Sequence, residues 1–367
     1  MSRPALVHAA KVAGISGSEA HLLSLLPALR ERGWDVRFLM LHEEEPGAWE
    51  FAARLHDARI PVRAIRITRD VDPLAFLRLH SAIARERPTI LHTHLVHADI
   101  YGLVAGAAAR VPILFSTKHG FNEFRERASF ALADRSVARL ATTHIAISGG
   151  LARYLAETEG FDRQAFDIVH YGIEPGPEPP PYADGGPIVL CIGRLIPVKG
   201  HIVLLRAMAL ALRDVPELEL RIAGRGPLEP ALRALAHELG IAANVRFLGQ
   251  VTPIQPALEQ VLGVVVPSLG EGFGMVALEA MERGRPVVAA AIGGLSEIVV
   301  DGETGHLVEP ADAEALAAAL VRLVRDPERA AAMGAAGRER ALASFRQVSC
   351  TERTEQLYRR ALASASR

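Results

Sequence analysis

PSLGEGFGMVALEAMERGRPVVAAAIGGLSEIVVDGETGHLVEP, residues 267–310, reads as one α/β unit turning into the next. An apolar run over residues 263–266 enters it as a buried strand. A glycine-rich loop follows, a helix opens near Phe273, and a second strand covers residues 286–290. The proline at the first position of that strand is tolerated because no ladder hydrogen bond is lost there. Short apolar runs bounded by turn residues, alternating with leucines and alanines at helical spacing, mean a parallel sheet covered by helices on both faces.

The alternation continues in both directions. Upstream, residues 188–192, 219–223 and 245–248 read as strands of the same sheet, and from Asp312 onward the chain reads as helix only. Between residues 172 and 187 the pattern breaks: GIEPGPEPPPYADGGP has six prolines and four glycines and reads as an exposed, polyproline-like linker. Before it the alternation holds again, with strands at 5–9, 35–41, 62–67, 89–93, 112–117 and 142–147. The expected fold is therefore α/β, with two Rossmann-like domains: residues 1–173, a linker at 174–187, and residues 188–345. Residues 346–367 are expected as a C-terminal helix packing back on the first domain. Open α/β sheets bind ligands beyond the carboxyl ends of their strands, so both domains are expected to turn those loops toward a central cleft.

A length of 367 residues suits two domains of this size, and 50% hydrophobic content excludes a disordered chain. A net charge of −1 argues against a nucleic-acid partner. Two cysteines, Cys191 and Cys350, can build neither a disulfide framework nor a thiolate metal site. No signal-peptide core or 18-residue apolar run stands in the sequence, so a cytoplasmic location is expected. Residues 121–140 interleave aromatics with arginines and acids. They read as an ordinary amphipathic helix, with peripheral contact to the inner membrane face as the alternative.

Four segments carry candidate chemistry. In the opening stretch, Glu271 precedes the helix and Glu279 lies within it, with a potential anion site at the helix N-terminus. At helical rise the two carboxylates stand about 12 Å apart, too wide for a retaining glycosidase pair and suited to two contacts along one elongated ligand. A helix cap and a solvated helix residue are the plainer reading. GRLIPVKG, residues 193–200, puts Arg194 and Lys199 at a strand mouth, where they could neutralise a diphosphate or stand as solvated cations. GISGSE, residues 14–19, is a short glycine loop that opens a helix but is not a complete dinucleotide fingerprint. GRGP, residues 224–227, reads as a plain turn. In the first domain His119 is expected to line the cleft, with His92 or His94 beside it. A zinc site in HTHLVH is disfavoured because Asp99 is the only nearby acid. His8, His144 and His170 read as satisfied core residues. The chain has only three lysines, Lys11, Lys118 and Lys199, all at predicted strand-to-helix loops.

Together these segments resemble the retaining GT-B glycosyltransferases of family 4, over essentially the whole chain. GISGSEAHLLSLLPALRERGWDV is similar to the family's opening loop and helix, STKHG to its histidine loop, GRLIPVKG to its diphosphate loop, and EGFGMVALEAMERGRPVVAAAIGGLSEIVVDGETGHLVEP to its E-x7-E donor segment. The resemblance implies a nucleotide-diphosphate sugar donor (UDP or GDP), a hydroxyl acceptor on a sugar or lipid-linked saccharide, and no required metal. It implies that Arg194 and Lys199 stabilise the leaving diphosphate and that Glu271 holds the donor sugar, aided by Gly272, Phe273, Gly274 and Met275. Glu279 would hold the ribose, Gly17 would approach the phosphate, and His119 would meet the sugar. The base would sit at Gly249, Gln250 and Val251, with His92, His94, Lys118 and Asn122 toward the acceptor. HYGIE, residues 170–174, departs from the family pattern and leaves Glu174 without an assigned role. The rival readings are an NDP-sugar epimerase or hydrolase on the same scaffold and a non-catalytic nucleotide-sugar binder.

Overall fold

The computed structural model describes residues 4–69, 72–121, 128–180 and 186–365, with the side chains of 128–131 left aside. Two compact units divide the chain. The first joins the residues up to Gly172 to the segment from Gln347 onward, and the second runs Ile173–Arg346.

The first unit holds seven strands: β1 (Ala5–Lys11), β2 (Asp35–His42), β3 (Val62–Arg66), β4 (Ile90–His94), β5 (Ile113–Lys118), β6 (Thr143–Ala146) and β7 (Phe166–Ile168). All pair in parallel, in the order β3-β2-β1-β4-β5-β6-β7. The chain reverses its direction of travel between β1 and β4, which opens a crevice beyond the ends of those two strands. β1 and β4 are buried on both faces because helices cover both. One face packs Leu6, Leu25, Phe38 and Phe51; the other packs Val7, Leu39, Leu79 and Leu91. Each such side chain contributes about 1.5–3 kcal/mol through its removal from water. Helix starts are set by local chemistry. Ser16 and Glu19 form a capping box for the helix Gly17–Glu31, and the Asp72 carboxylate accepts from the amides of Leu74 and Ala75 to start Pro73–Glu86.

The helix Gln347–Ala365 belongs to this unit. Tyr358 is fully buried on it, edge-on to Trp34 and Phe115. The Trp34 indole donates to Glu355 at 3.2 Å, and Arg32 donates to the same carboxylate at 3.1 Å.

The second unit holds six parallel strands: β8 (Ile188–Ile192), β9 (Glu219–Ala223), β10 (Val245–Gly249), β11 (Gly263–Val266), β12 (Val287–Ala290) and β13 (Gly305–Val308). Their order is β10-β9-β8-β11-β12-β13, so the reversal falls between β8 and β11. Val189, Leu204, Leu220, Val265 and Leu320 fill its core.

Two strands are absent from the sequence reading, β7 and β13. They have three and four residues, and their inner positions are only half-buried. Both are edge strands, where hydrophobic patterning is weakest. The helix expected near Phe273 runs from Met275, with Glu271 before it as read. Gly274 precedes it in a left-handed conformation (φ 108°), so Glu271 lies in the loop and not on the helix. No helix among the described residues is long and apolar enough to cross a membrane.

Candidate functional site

The second unit gathers its candidate residues where the strand order reverses. Gly193 to Gly200 leave β8, and residues 267–274 leave β11. Leu269 donates its amide to the Val198 carbonyl at 2.8 Å, joining the two loops. Gly200 makes this approach possible: its φ is 71°, and a Cβ there would lie 1.9 Å from the Pro267 carbonyl oxygen. Across the joined loops, Lys199 Nζ donates to Glu271 Oε2 at 2.6 Å, and Ser268 Oγ donates to the same oxygen at 3.2 Å. The Lys199 and Glu271 side chains stay 25% and 16% exposed, so the pair is reachable from solvent. Arg194 stands exposed on the same β8 loop.

The neighbouring loops close in on this pair. Gly224 donates to the Gly249 carbonyl at 2.7 Å, and Leu195 donates to the Arg225 carbonyl at 2.9 Å. A Cβ on Gly224 would strike the Gly193 carbonyl at 1.9 Å. The ends of β8, β9 and β10 are thereby drawn together. GRGP is thus a structural part of the site and not a plain turn, and it adds the exposed cation Arg225. Its signal in the sequence was a glycine directly after a strand, but which loop that glycine would press against depended on strand order. On the helix Met275–Glu282, burial pushes the half-buried Glu279 carboxyl up to about 7. His201 follows Gly200 and is buried. Neither of its ring nitrogens has a hydrogen-bond partner among the described residues, and burial together with Lys199 brings its pKa down to about 4.

The reversal in the first unit is filled differently. His8 on β1 and His94 on β4 meet there, Nδ1 to Nε2 at 2.8 Å. His94 Nδ1 meets His119 Nε2 at 2.8 Å, and His119 Nδ1 bonds the Tyr171 hydroxyl. His92 bonds the Tyr358 hydroxyl and Thr117 Oγ1. Burial, followed by neighbouring rings or Lys118, holds His8, His92, His94 and His119 well below the ordinary imidazole range. All four are therefore neutral at pH 7. His21, from the opening helix, stacks on Tyr171 with centroids 4.3 Å apart.

Sequence comparison with known proteins now bears on this geometry. Residues 15–176 match the model of glycosyltransferase family 4, and residues 177–340 match that of the glycosyl transferases group 1. The alpha-maltose-1-phosphate synthase of Mycolicibacterium smegmatis is 31% identical over 314 residues, covering 75% of this chain and 80% of that protein. This chain belongs to the family 4 glycosyltransferases. A GDP-mannose-dependent alpha-(1-6)-phosphatidylinositol monomannoside mannosyltransferase of the same organism is 41% identical over 165 residues, 42% of this chain and 43% of that protein. The chain thus spans about half the length of this and another of its first relatives. In fold it matches Anabaena Alr3699/HepE in complex with UDP and glucose: TM-score 0.85 at 20% identity, over 97% of this chain and 99% of that one.

Within this glycosyltransferase the expectations for Lys118 and for His92 and His94 need correction. Lys118 is fully buried at the end of β5 and clamped by Asp99 at 2.7 Å and Asp134 at 2.9 Å. It is a structural cation and cannot meet an acceptor. His92 and His94 are 1% exposed, with their ring nitrogens bonded inside the unit, so neither lines a surface. His8, read as a satisfied core residue, is one: it is fully buried and bonded to His94. Asn122 lies outside the described residues, as does part of the 121–140 segment; within that segment Asp134 points inward to Lys118. Gly17 is exposed at the first turn of its helix. The nitrogens of His8, His92 and His94 lie within 4.8 Å of one another, near enough to share an ion. Two nitrogens on a tetrahedral ion stand about 3.3 Å apart, whereas those of His8 and His94 stand at 2.8 Å. That spacing fits a proton held between two rings.

Proposed function

We propose that this glycosyltransferase moves a sugar from a nucleoside-diphosphate sugar to a hydroxyl of a saccharide or lipid-linked saccharide, with retention at the anomeric carbon. The observation that carries this reading is the 2.6 Å Lys199–Glu271 pair at the β8–β11 reversal, with Arg194 exposed beside it. Such a pair is an exchangeable contact. A diphosphate offers Lys199 a stronger anionic partner, and its arrival releases Glu271 to accept hydrogen bonds from sugar hydroxyls. Arg194 and Lys199 then face the oxygen on which charge develops as the sugar–phosphate bond breaks. The amides of residues 272–275 support the same ligand at the helix N-terminus. Glu279 binds the ribose, and Gly249, Gln250 and Val251 flank the base.

In the transfer, the bond from the anomeric carbon to the phosphate oxygen breaks as the acceptor oxygen bonds on the same face. The acceptor's proton passes to the departing phosphate oxygen. Lys199 and Arg194 provide the positive charge that a divalent ion provides elsewhere, so a chelator is expected to leave the rate unchanged. The donor is tested by thermal shift against UDP-glucose and GDP-mannose, since a ligand at 100 times its Kd adds about 2.7 kcal/mol. Stabilisation by one of them, followed by α-linked product from an α-linked donor, is the expected result. Stabilisation by neither, or an inverted product, overturns the reading.

A further inference from the structure

Past the carboxyl ends of β1 and β2 the first unit leaves an indole, a carboxylate and an ammonium open to solvent. Trp49 stands near the start of the helix Pro46–Asp57 and is 50% exposed. Trp34, the other tryptophan of the chain, is 3% exposed. Few side chains gain as much from burial as an indole, so a half-open one offers a ligand a large apolar face. The ring is held in place. It meets the buried His42 edge-on, with centroids 4.9 Å apart. A Cβ on Gly47 would lie 2.7 Å from Gly14 Cα and 2.8 Å from the Ala13 carbonyl oxygen. Only glycine therefore lets the first turn of this helix press against the loop that follows β1.

The charged groups lie one residue along. Glu43 follows His42 directly, and its carboxylate accepts from Lys11 Nζ at 2.5 Å. Lys11 closes β1, and the Val12 amide beyond it donates to the Leu41 carbonyl at 2.8 Å, which keeps the two strand ends together. The side chains of Lys11 and Glu43 are 21% and 42% exposed. So open an ion pair adds little to stability, and a ligand hydroxyl can replace either partner.

This combination matches a pyranose ring. One face of such a ring presents C–H groups that pack on an indole, and its rim carries hydroxyls that both donate and accept. An anionic ligand fits poorly, because residues 42–50 read HEEEPGAWE and would meet it with like charge. A long apolar ligand fits no better, since it would strip water from Lys11 and Glu43.

We propose that Trp49, Glu43 and Lys11 form a subsite for a pyranose ring of the acceptor: the indole carries its C–H face, Glu43 accepts from its hydroxyls and Lys11 donates to them. This rests on the reading of the protein as a transferase to a saccharide hydroxyl.

Iodide quenches exposed indoles and spares enclosed ones, so it reads Trp49 apart from Trp34. The probes are the methyl α-glycosides of glucose, mannose and galactose, titrated without donor through the millimolar range, with glycerol as control. At least one glycoside is expected to shield Trp49 saturably, and glycerol to leave it unchanged. Glu43→Ala keeps the indole and is expected to weaken that shielding about 10-fold, the scale of a lost hydrogen bond to a charged group. By calorimetry Trp49→Ala is expected to weaken the same glycoside about 10-fold. Trp49→Tyr, which keeps an aromatic face, is expected to recover most of the affinity. Equal thermal melts check that the variants fold. With the donor that the protein accepts, the shielding glycoside is expected to speed release of the nucleoside diphosphate. Absence of shielding by all three glycosides overturns the proposal, as does equal affinity in the wild type and Glu43→Ala. Shielding without faster release overturns the acceptor role. Shielding in a protein that neither UDP-glucose nor GDP-mannose stabilises separates the two claims: the pyranose subsite stands and the transfer reading falls.

Discussion

The two sheets reverse at equivalent places, β1/β4 in one unit and β8/β11 in the other, yet the reversals hold opposite chemistry. At β8/β11 the groups are charged and partly open: Lys199 paired with Glu271, and Arg194 exposed on the same loop. At β1/β4 they are neutral, enclosed and bonded to one another, with His119 alone reaching toward the surface. The contrast follows from burial. Partly solvated ions can exchange partners, whereas neutral imidazoles can be buried at far smaller cost than ions. The cation buried in the first unit, Lys118, needs two carboxylates around it.

That difference can be broken at its strongest point first. Lys118→Met leaves Asp99 and Asp134 as buried charges without their partner and is expected to cost about 3–5 kcal/mol of stability. Denaturant unfolding checks this, and a loss as small as that of an exposed lysine would place Lys118 among the exchangeable cations. Lys199→Ala is expected to do the opposite: fold normally but lose roughly 10²-fold in kcat, on the scale of a removed oxyanion donor. Steady-state kinetics with the accepted donor read it out, with Arg194→Ala as its companion.

Glu271→Gln and Glu279→Gln sharpen the second unit's part. The first is expected to lower transfer more than nucleotide affinity and the second the reverse, by calorimetry beside kinetics. Glu279 also carries a pH signature. Its pKa of about 7 stands above the ordinary 4.5, so the folded chain holds this proton more tightly than the unfolded chain does. The stabilisation is full below pH 4.5 and is lost as pH rises through about 7. Glu279→Gln should therefore raise Tm at pH 8 relative to the wild type, with little change at pH 4.5, while it weakens donor binding. Thermal melts at the two pH values decide it. A lower Tm at pH 8 would mean that the carboxylate is satisfied inside the fold.

Much of the molecule was legible before any coordinates. Short, largely apolar runs bounded by turn residues mark the interior strands, because an interior strand of a parallel sheet is buried on both faces; β4, ILHTH, is the most polar of them. The edge strands β7 and β13 escaped because an edge needs fewer apolar residues. The loops GRLIPVKG and EGFGM stood out because glycine and charge at a strand end are local signals. GRGP did not, since the importance of Gly224 lies in its approach to Gly193, a residue 31 positions earlier.

By itself the amino-acid order determined two parallel sheets and the strand-end loops where charge would collect. Both follow from periodicity and turn chemistry within a few residues. The stretch read as a linker belongs, over residues 173–180, to the second unit, where the Gly176 amide donates to Glu282 and the Pro177 and Pro180 carbonyls accept from Arg283 and Arg285. Tertiary structure alone decided which strand-end residues touch: that Lys118 is enclosed while Lys199 is open, that Arg225 joins the second unit's loops, and that His94 bonds both His8 and His119. The reason is topological. A sheet ordered 3-2-1-4-5-6-7 sets strands β1 and β4 side by side although some eighty residues separate them, and hydrogen bonding across that gap leaves no periodic trace in the chain.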